Sequence, residues 1–425
     1  MNELLLVIES ILFLLFSIML FCKERIYGFY FFFILVYAIF AQIGYLYFPE
    51  LSATGHAYFG EEIWKKCTYF IILSGISLFL FLYYGSSRVI KIVHSSRILL
   101  QVHEAPSMLA RRVVCILIAL SLVAQYCIYF ADSDGLSWST VQNEDIYQLD
   151  FLAGAFMFMM KFSLALNLAL YCTLRQIRIL ANSKHLPVLA VISMASFMIF
   201  TFKVGSRTDT LALFLGIAVF EAGRIRFTAR RIVAVGVIVC TLYAYLSVLG
   251  NHRTEQSGVD TDRLTRILVS DYYAPAHMLF AAVAYQYIDP EEVITSNAAN
   301  TLVLMHHPYL QATVTDLFLP GVATRSQGFA FYNFTEGYLF AGFSGFLYNG
   351  VVLGFLMALW RSCATTNSEK LNHFLLAIMG SMVIGLIRGQ CSYFIKIMYT
   401  FIIPGAVVYL ALNGMRLRLW VRQKA

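Results

Sequence analysis

Charge is scarce in this chain. Asp, Glu, Lys and Arg make up 13% of its 425 residues, against about 25% in ordinary soluble domains. Sixty per cent of the residues are hydrophobic and mean hydropathy is +0.71. So few charges cannot cover that much apolar side chain, which excludes a soluble cytosolic enzyme. Disorder is excluded too, because disordered chains combine low hydrophobicity with high charge. The eight cysteines (Cys22, Cys67, Cys115, Cys127, Cys172, Cys240, Cys363 and Cys391) form no CxxC pair and have no His at zinc-ligand spacing. They read as small apolar side chains in membrane helices, neither a disulfide scaffold nor a metal centre. There is no GxSxG elbow, no Walker A loop, no dinucleotide fingerprint and no fixed-period repeat. The chain therefore offers no visible site for ATP or a sugar nucleotide.

What is abundant is long apolar blocks. A membrane-spanning helix takes about 20 mostly apolar residues. The pattern predicts an all-α, polytopic integral membrane protein of about eleven spans (10–12), at 4–22, 29–48, 67–84, 113–131, 151–172, 187–204, 209–223, 232–249, 337–360, 372–388 and 393–412. Met1–Glu3 carries no Lys or Arg and no small-residue cleavage site precedes Lys23, so the first block reads as a retained helix.

Basic residues orient these spans. With connections taken alternately, one side collects Lys23 and Arg25; Arg88, Lys91, Arg97, Arg111 and Arg112; Arg175, Arg178 and Lys184; Arg224, Arg226, Arg230 and Arg231; Arg361 and Lys370; and Arg416, Arg418, Arg422 and Lys424. That side holds 20 of the 31 Lys and Arg but only three acids, Glu24, Glu104 and Glu369. The opposite side has the loop 132–150, with five acids and no Lys or Arg. The positive-inside rule makes the basic side cytoplasmic, with the N-terminus outside and the C-terminus inside. The net charge of +7 is thus spread over short loops and is no nucleic-acid footprint. Three regions follow: 1–249 with helices one to eight, 250–336 as one large external loop, and 337–425 with helices nine to eleven and a basic tail. Loops as long as 250–336 are uncommon unless functional. Its stretch Asp271–Ile288 reads as an interfacial or re-entrant helix.

The informative residues are cations at the outer membrane boundary. Lys203 and Arg207 bracket the turn between helices six and seven. Arg388 ends helix ten, and Lys396 lies about one turn into helix eleven. Arg253, Arg263, Arg266 and Arg325 lie in the large loop on the same side. Charges at membrane depth are costly unless paired, hydrated or snorkelling. A guanidinium also fits phosphate, donating two parallel hydrogen bonds. Either snorkelling and pairing with Asp209 or Glu336, or anion binding, accounts for these residues. For Arg207 and Arg388, each beside a glycine-containing turn, anion binding is the stronger reading. Lys161 falls midway through span five, as a buried ion-pair member or the wall of a substrate cavity.

Proton-transfer candidates lie on the outer face: Glu336 at the start of helix nine, and Asp271, Asp316, His252, His277, His306 and His307 in the large loop. A sugar hydroxyl needs a carboxylate or imidazole within reach to take its proton.

The turn Gly205-Ser-Arg-Thr-Asp, the long external loop, the segment Phe334-Thr-Glu-Gly-Tyr-Leu-Phe-Ala-Gly-Phe-Ser-Gly345 and Leu386-Ile-Arg-Gly389 occur in an order that resembles the bacterial O-antigen polymerases (Wzy), the oligosaccharide repeat-unit polymerases. The resemblance implies a GT-C-like glycosyltransferase of the inner membrane, acting at the periplasmic face without metal, nucleotide or other cofactor. It implies a donor chain and an acceptor unit both carried on undecaprenyl diphosphate, membrane lipid around them, and a chain-length regulator as partner. By motif position, Arg207 and Arg388 would grip the diphosphate and Glu336 would sit at the acceptor or sugar; Lys203, Arg253, Arg325, Lys396 and Lys161, read from their charge and placement, are further substrate-binding candidates. Glu336, His307 and Asp271 would be the catalytic set, His306 or His307 corresponding to the active-site His of the related O-antigen ligases.

Two other functions fit the same composition: a ligase or other lipid-linked glycosyltransferase, and a polysaccharide flippase or secondary transporter. The charge pattern makes one prediction common to all three. Alkaline phosphatase inserted in 250–336 should be active and the same enzyme fused after Ala425 inactive; the reverse pattern would invert the topology.

Overall fold

The computed structural model describes residues 2–47, 60–95, 98–104, 150–176, 185–204, 207–224, 278–284, 289–301, 332–413 and 415–421, with a few isolated positions between them. These are helical apart from one antiparallel ladder, β1 (Ile98–Glu104) with β2 (Met415–Val421), in which Ile98 faces Val421 and Glu104 faces Met415. Among the described residues, five helical stretches are long and apolar enough to cross a membrane: Glu3–Lys23, Arg25–Gly44, Glu61–Val93, Phe334–Cys363 and Cys391–Leu412. Span 232–249 lies outside the described residues, as does most of 113–131.

The chain forms two compact units. The first comprises Met1–Val93, Gly258–Ser362 and Val383–Lys396. It opens with a hairpin of α1 (Asn2–Lys23) and α2 (Arg25–Tyr47). On α1 the side chains of Leu4, Val7, Ile8, Ile11, Leu14, Leu15, Ile18 and Met19 are exposed, while Glu9, Phe13, Ser17 and Leu20 are buried. The outward stripe repeats every three to four residues, so it is one helix face. A helix that turns its apolar face outward and its carboxyl inward inverts the soluble pattern and suits a lipid solvent. The turn between α1 and α2 is tight: a Cβ on Gly28 would lie 2.5 Å from Phe21 Cα.

That turn meets two other segments. Lys23 Nζ donates to Leu82 O (3.5 Å) and sits over the Tyr83 ring, where α3 (Glu61–Leu80) passes through the wide π turn Phe81–Gly85 into α4 (Ser86–Ser95). Glu24 forms a 2.8 Å ion pair with Arg361. At the hairpin's other end Tyr47 donates to Glu3 (3.2 Å). The charge pattern assigns 23–25, 82–88 and 361 to one face, and 3 and 47 to the other, so these contacts are compatible with its alternation.

The structure departs from the expected ninth span, 337–360. Phe334–Cys363 does not run straight. A continuous helix would separate residues 334 and 349 by about 22 Å, yet Asn349 Nδ2 donates to Phe334 O at 3.0 Å, and the rings of Phe340 and Tyr348 are 4.9 Å apart. The short helix α9 (Phe334–Ala341) therefore folds back along the limb that follows: α10 (Gly345–Tyr348), a π turn Asn349–Leu353, and α11 (Gly354–Cys363). Gly342, with φ of +59°, makes the reversal. Hydropathy counted both arms as one span because both are apolar. Only 345–363, about 28 Å long, has the reach to cross. Asn349 lies 12 residues before Arg361, about 18 Å along the axis. Glu336, in the first turn of α9, is thus brought beside the limb near Asn349 instead of opening a straight ninth span.

Residues 278–284 are helical, 278–283 buried and Ala284 half-buried, so this part of Asp271–Ile288 packs against protein and presents no exposed polar face.

The second unit comprises His94–Ser257, Cys363–Met382 and Ile397–Ala425. Its helices include α5 (Asp150–Gln176), α6 (His185–Val204), α7 (Arg207–Arg224), α12 (Glu369–Ser381, N-capped by Ser368) and α15 (Ile403–Leu412). Glycines admit close crossings: Gly216 lies against Leu168 and Ala377, Gly380 against Val219, and Gly405 against Ile378. Arg175 grips Glu221 with two bonds of 2.7 and 3.0 Å, and Asn413 donates to Thr173 (3.0 Å). Each pair, like the β1–β2 ladder, joins segments the charge pattern assigns to the cytoplasm.

The arm depends on two glycines. A Cβ on Gly345 would sit 1.7 Å from Gly337 O, and one on Gly337 would sit 2.5 Å from Gly345 O. Gly345→Ala should destabilise the protein by at least about 1–3 kcal/mol, read as a lower Tm in nanodiscs, whereas Gly60→Ala, where the added methyl meets nothing within 4 Å, should leave Tm unchanged.

Candidate functional site

Three elements of the first unit converge on Glu336, which is fully buried in the first turn of α9. Its Oε1 accepts from Asn297 Nδ2 (2.7 Å) and from the Tyr348 hydroxyl (2.6 Å). Its Oε2 accepts from the backbone N–H of Cys391 (2.7 Å). Asn297 stands on α8 (Pro290–Thr301), and Cys391 opens α14 (Cys391–Ile397). A helix leaves its first N–H groups without partners and carries partial positive charge there. A carboxyl at that point satisfies one of them.

The bonds continue outward. Asn297 Oδ1 accepts from Ser392 N (2.9 Å) and Gln390 Nε2 (3.3 Å). Gln390 Nε2 also donates to the Ser392 hydroxyl (2.8 Å), and its Oε1 accepts from Leu310 N (2.9 Å). Asn333 N donates to Ile387 O (2.9 Å), and Asn333 Nδ2 donates to the Tyr30 hydroxyl (2.7 Å). The break between α13 (Val383–Ile387) and α14 is therefore fixed at both ends against α9: Ile387 at Asn333 and Cys391 at Glu336.

Arg388 lies inside that break, half-buried. Among the described residues its guanidinium has no hydrogen-bond or ion-pair partner. Five N–H donors at such a place, with Gly389 beside them, suit a planar or tetrahedral oxyanion.

Of the residues singled out from sequence, Glu336 and Arg388 are brought to the same polar knot. Lys396 is half-buried in the last turn of α14, where Phe394 O accepts from Trp360 Nε1 (3.0 Å). Lys161, Lys203 and Arg207 lie on α5, α6 and the first position of α7, in the second unit, with side chains outside the described residues. His307, Asp271, Arg253 and Arg325 also lie outside them. Of the acids weighed against Lys161, Glu221 pairs with Arg175 and Tyr171, and Glu9 pairs with Gln42.

Sequence inspection missed Asn297, Tyr348, Gln390 and Ser392. Gln390 and Tyr348 carried a weak signal, as polar atoms within apolar runs; Asn297, in the polar segment Pro290–Thr301, carried none. Among the described residues no three His, Cys, Asp or Glu side chains come together as a metal site. No family model, characterised protein or solved structure matches the chain.

Because each Glu336 partner is a buried or half-buried donor, removing the acceptor orphans several groups at about 1–3 kcal/mol each. Glu336→Ala should lower Tm more than Glu336→Gln, which retains one carbonyl acceptor. Equal, unchanged melting of both variants would show that the carboxyl does not hold the arm.

Proposed function

We propose that the chain polymerises oligosaccharide repeat units carried on undecaprenyl diphosphate, at the periplasmic face of the bacterial inner membrane, within a bundle of about eleven spans. The sequence resemblance supplies the reaction class. The observation that carries the reading is the half-buried Arg388 guanidinium, without a hydrogen-bond or ion-pair partner among the described residues, in a helix break beside the fixed arm of α9.

In this reaction an acceptor hydroxyl attacks the anomeric carbon of the donor chain's first sugar. The bond from that carbon to phosphate oxygen breaks, undecaprenyl diphosphate leaves, and the acceptor proton passes to a base. Diphosphate is already a good leaving group, so the protein's main task is to stabilise its developing charge. Fixed guanidinium donors in poorly hydrated surroundings do this without reorganising at the moment of reaction. Arg388 takes that role; Arg207, on the second unit, is a separate candidate cation for the same class of anion. Glu336 acts as a positioning residue: its oxygens already accept three hydrogen bonds and it has no exposed surface. His307 and Asp271 are then the candidates for the base.

A second reading draws on a specific observation. Discontinuous helices and buried carboxyls at mid-membrane depth are also the furniture of transporters. A flippase for the lipid-linked unit would use the same arm and break to pass a diphosphate headgroup.

Glycan banding in a deletion strain separates these. Complementation with Arg388→Ala or Arg207→Ala should give surface glycan of a single unit, and Arg388→Lys partial polymer, since a point charge replaces a bidentate donor. Loss of all surface glycan would favour the flippase or a ligase. Full-length polymer in both alanine variants would remove the assignment.

A further inference from the structure

A second buried carboxyl, far along α1 from the hairpin turn, takes no part in the site above. Glu9 is fully buried, and so is Gln42 on α2. Gln42 Nε2 donates to Glu9 Oε2. The other carboxyl oxygen, Glu9 Oε1, is buried and has no partner among the described residues, and the same holds for Gln42 Oε1. Among the described residues no Lys, Arg or His forms an ion pair with Glu9 from α2, α3 or the chain leading into α9. The ionisable groups nearby are tyrosines: Tyr332 lies within electrostatic reach of both Glu9 and Tyr30, and its hydroxyl is itself buried and unpartnered.

A carboxylate and a carboxamide can share only one hydrogen bond here, from N–H to O. The remaining oxygen of each group, Glu9 Oε1 and Gln42 Oε1, is then a buried acceptor with no donor from the other. A carboxylic acid and a carboxamide are fully complementary: the acid O–H donates to the amide oxygen while the amide N–H donates to the acid carbonyl. One proton therefore satisfies both orphaned oxygens and removes an uncompensated charge from hydrocarbon surroundings, where such a charge is costly.

We infer that Glu9 and Gln42 form an intramembrane proton-binding site, with the proton on Glu9 Oε1 donated to Gln42 Oε1. The ligand is a single proton and no bond other than O–H is made or broken. The site also bears on the arm. Tyr332 immediately precedes Asn333 and α9, so a change of charge on Glu9 is felt electrostatically at the base of the arm. This inference does not depend on the glycan reaction.

Infrared difference spectroscopy of the full-length protein in nanodiscs tests it. The wild-type spectrum should contain the carbonyl stretch of a protonated carboxyl group at neutral and mildly alkaline pH, sensitive to exchange into deuterated water. Glu9→Gln, nearly isosteric, should lose that band. A band undiminished in Glu9→Gln overturns the proposal. Should that variant fail to fold, Gln42→Leu keeps the carboxyl and removes its partner: the band should shift to the position of an unbonded acid, and a band that does not move overturns the proposal equally.

Discussion

The Glu336 carboxyl joins three stretches of chain that are distant in sequence: the polar helix carrying Asn297, the limb carrying Tyr348 and the start of the helix at Cys391. In hydrocarbon no water is available to satisfy a backbone N–H or a carboxyl, so irregular backbone persists only where protein groups complete its bonding. The reversal at Gly342 and the break at 388–390 both depend on this. Each exposes helix ends inside apolar stretches, and the same knot of Glu336, Asn297 and Gln390 closes them. The close Gly337–Gly345 contact contributes the other half, by letting two helical arms touch backbone to backbone.

How far this was legible in the sequence follows from what hydropathy can register. Apolar runs marked where helices would be, and the Lys and Arg bias predicted which ends share a face. The contacts Glu24–Arg361, Arg175–Glu221 and β1–β2 are compatible with that assignment. A hydropathy window cannot distinguish a straight helix from one folded back on itself, because FTEGYLFAGFSG is apolar in both arms. The clue was the spacing of Gly337, Gly342 and Gly345, which reads as a flexible helix until the close approach is seen. Glu336 was visible as an acid at an apolar boundary, but its bonding was not. Its partners are neutral polar residues whose types are common everywhere. Arg388 was visible as a guanidinium next to a glycine at the end of an apolar run, but its place in a helix break fixed against α9 was not.

Glu9 and Glu336 are both buried acids, and their surroundings differ in kind. Glu336 is met by donors alone. Glu9 meets an amide that presents donor and acceptor together. Identical side chains are thus held by different chemistry within one unit, and burial by itself distinguishes neither.

The π turn at Asn349–Leu353 has a consequence for register. A π turn accommodates one residue more than an α-helical path between the same two points, and each residue in an α-helix rotates the next by about 100°. Tyr348 before the turn must point at Glu336, while Arg361 after it must point at Glu24. The surplus residue resets the azimuth between them, so one continuous limb can serve the Glu336 knot and the Glu24–Arg361 ion pair at once. Shortening the limb by one residue would straighten the helix and leave one of those two attachments facing lipid.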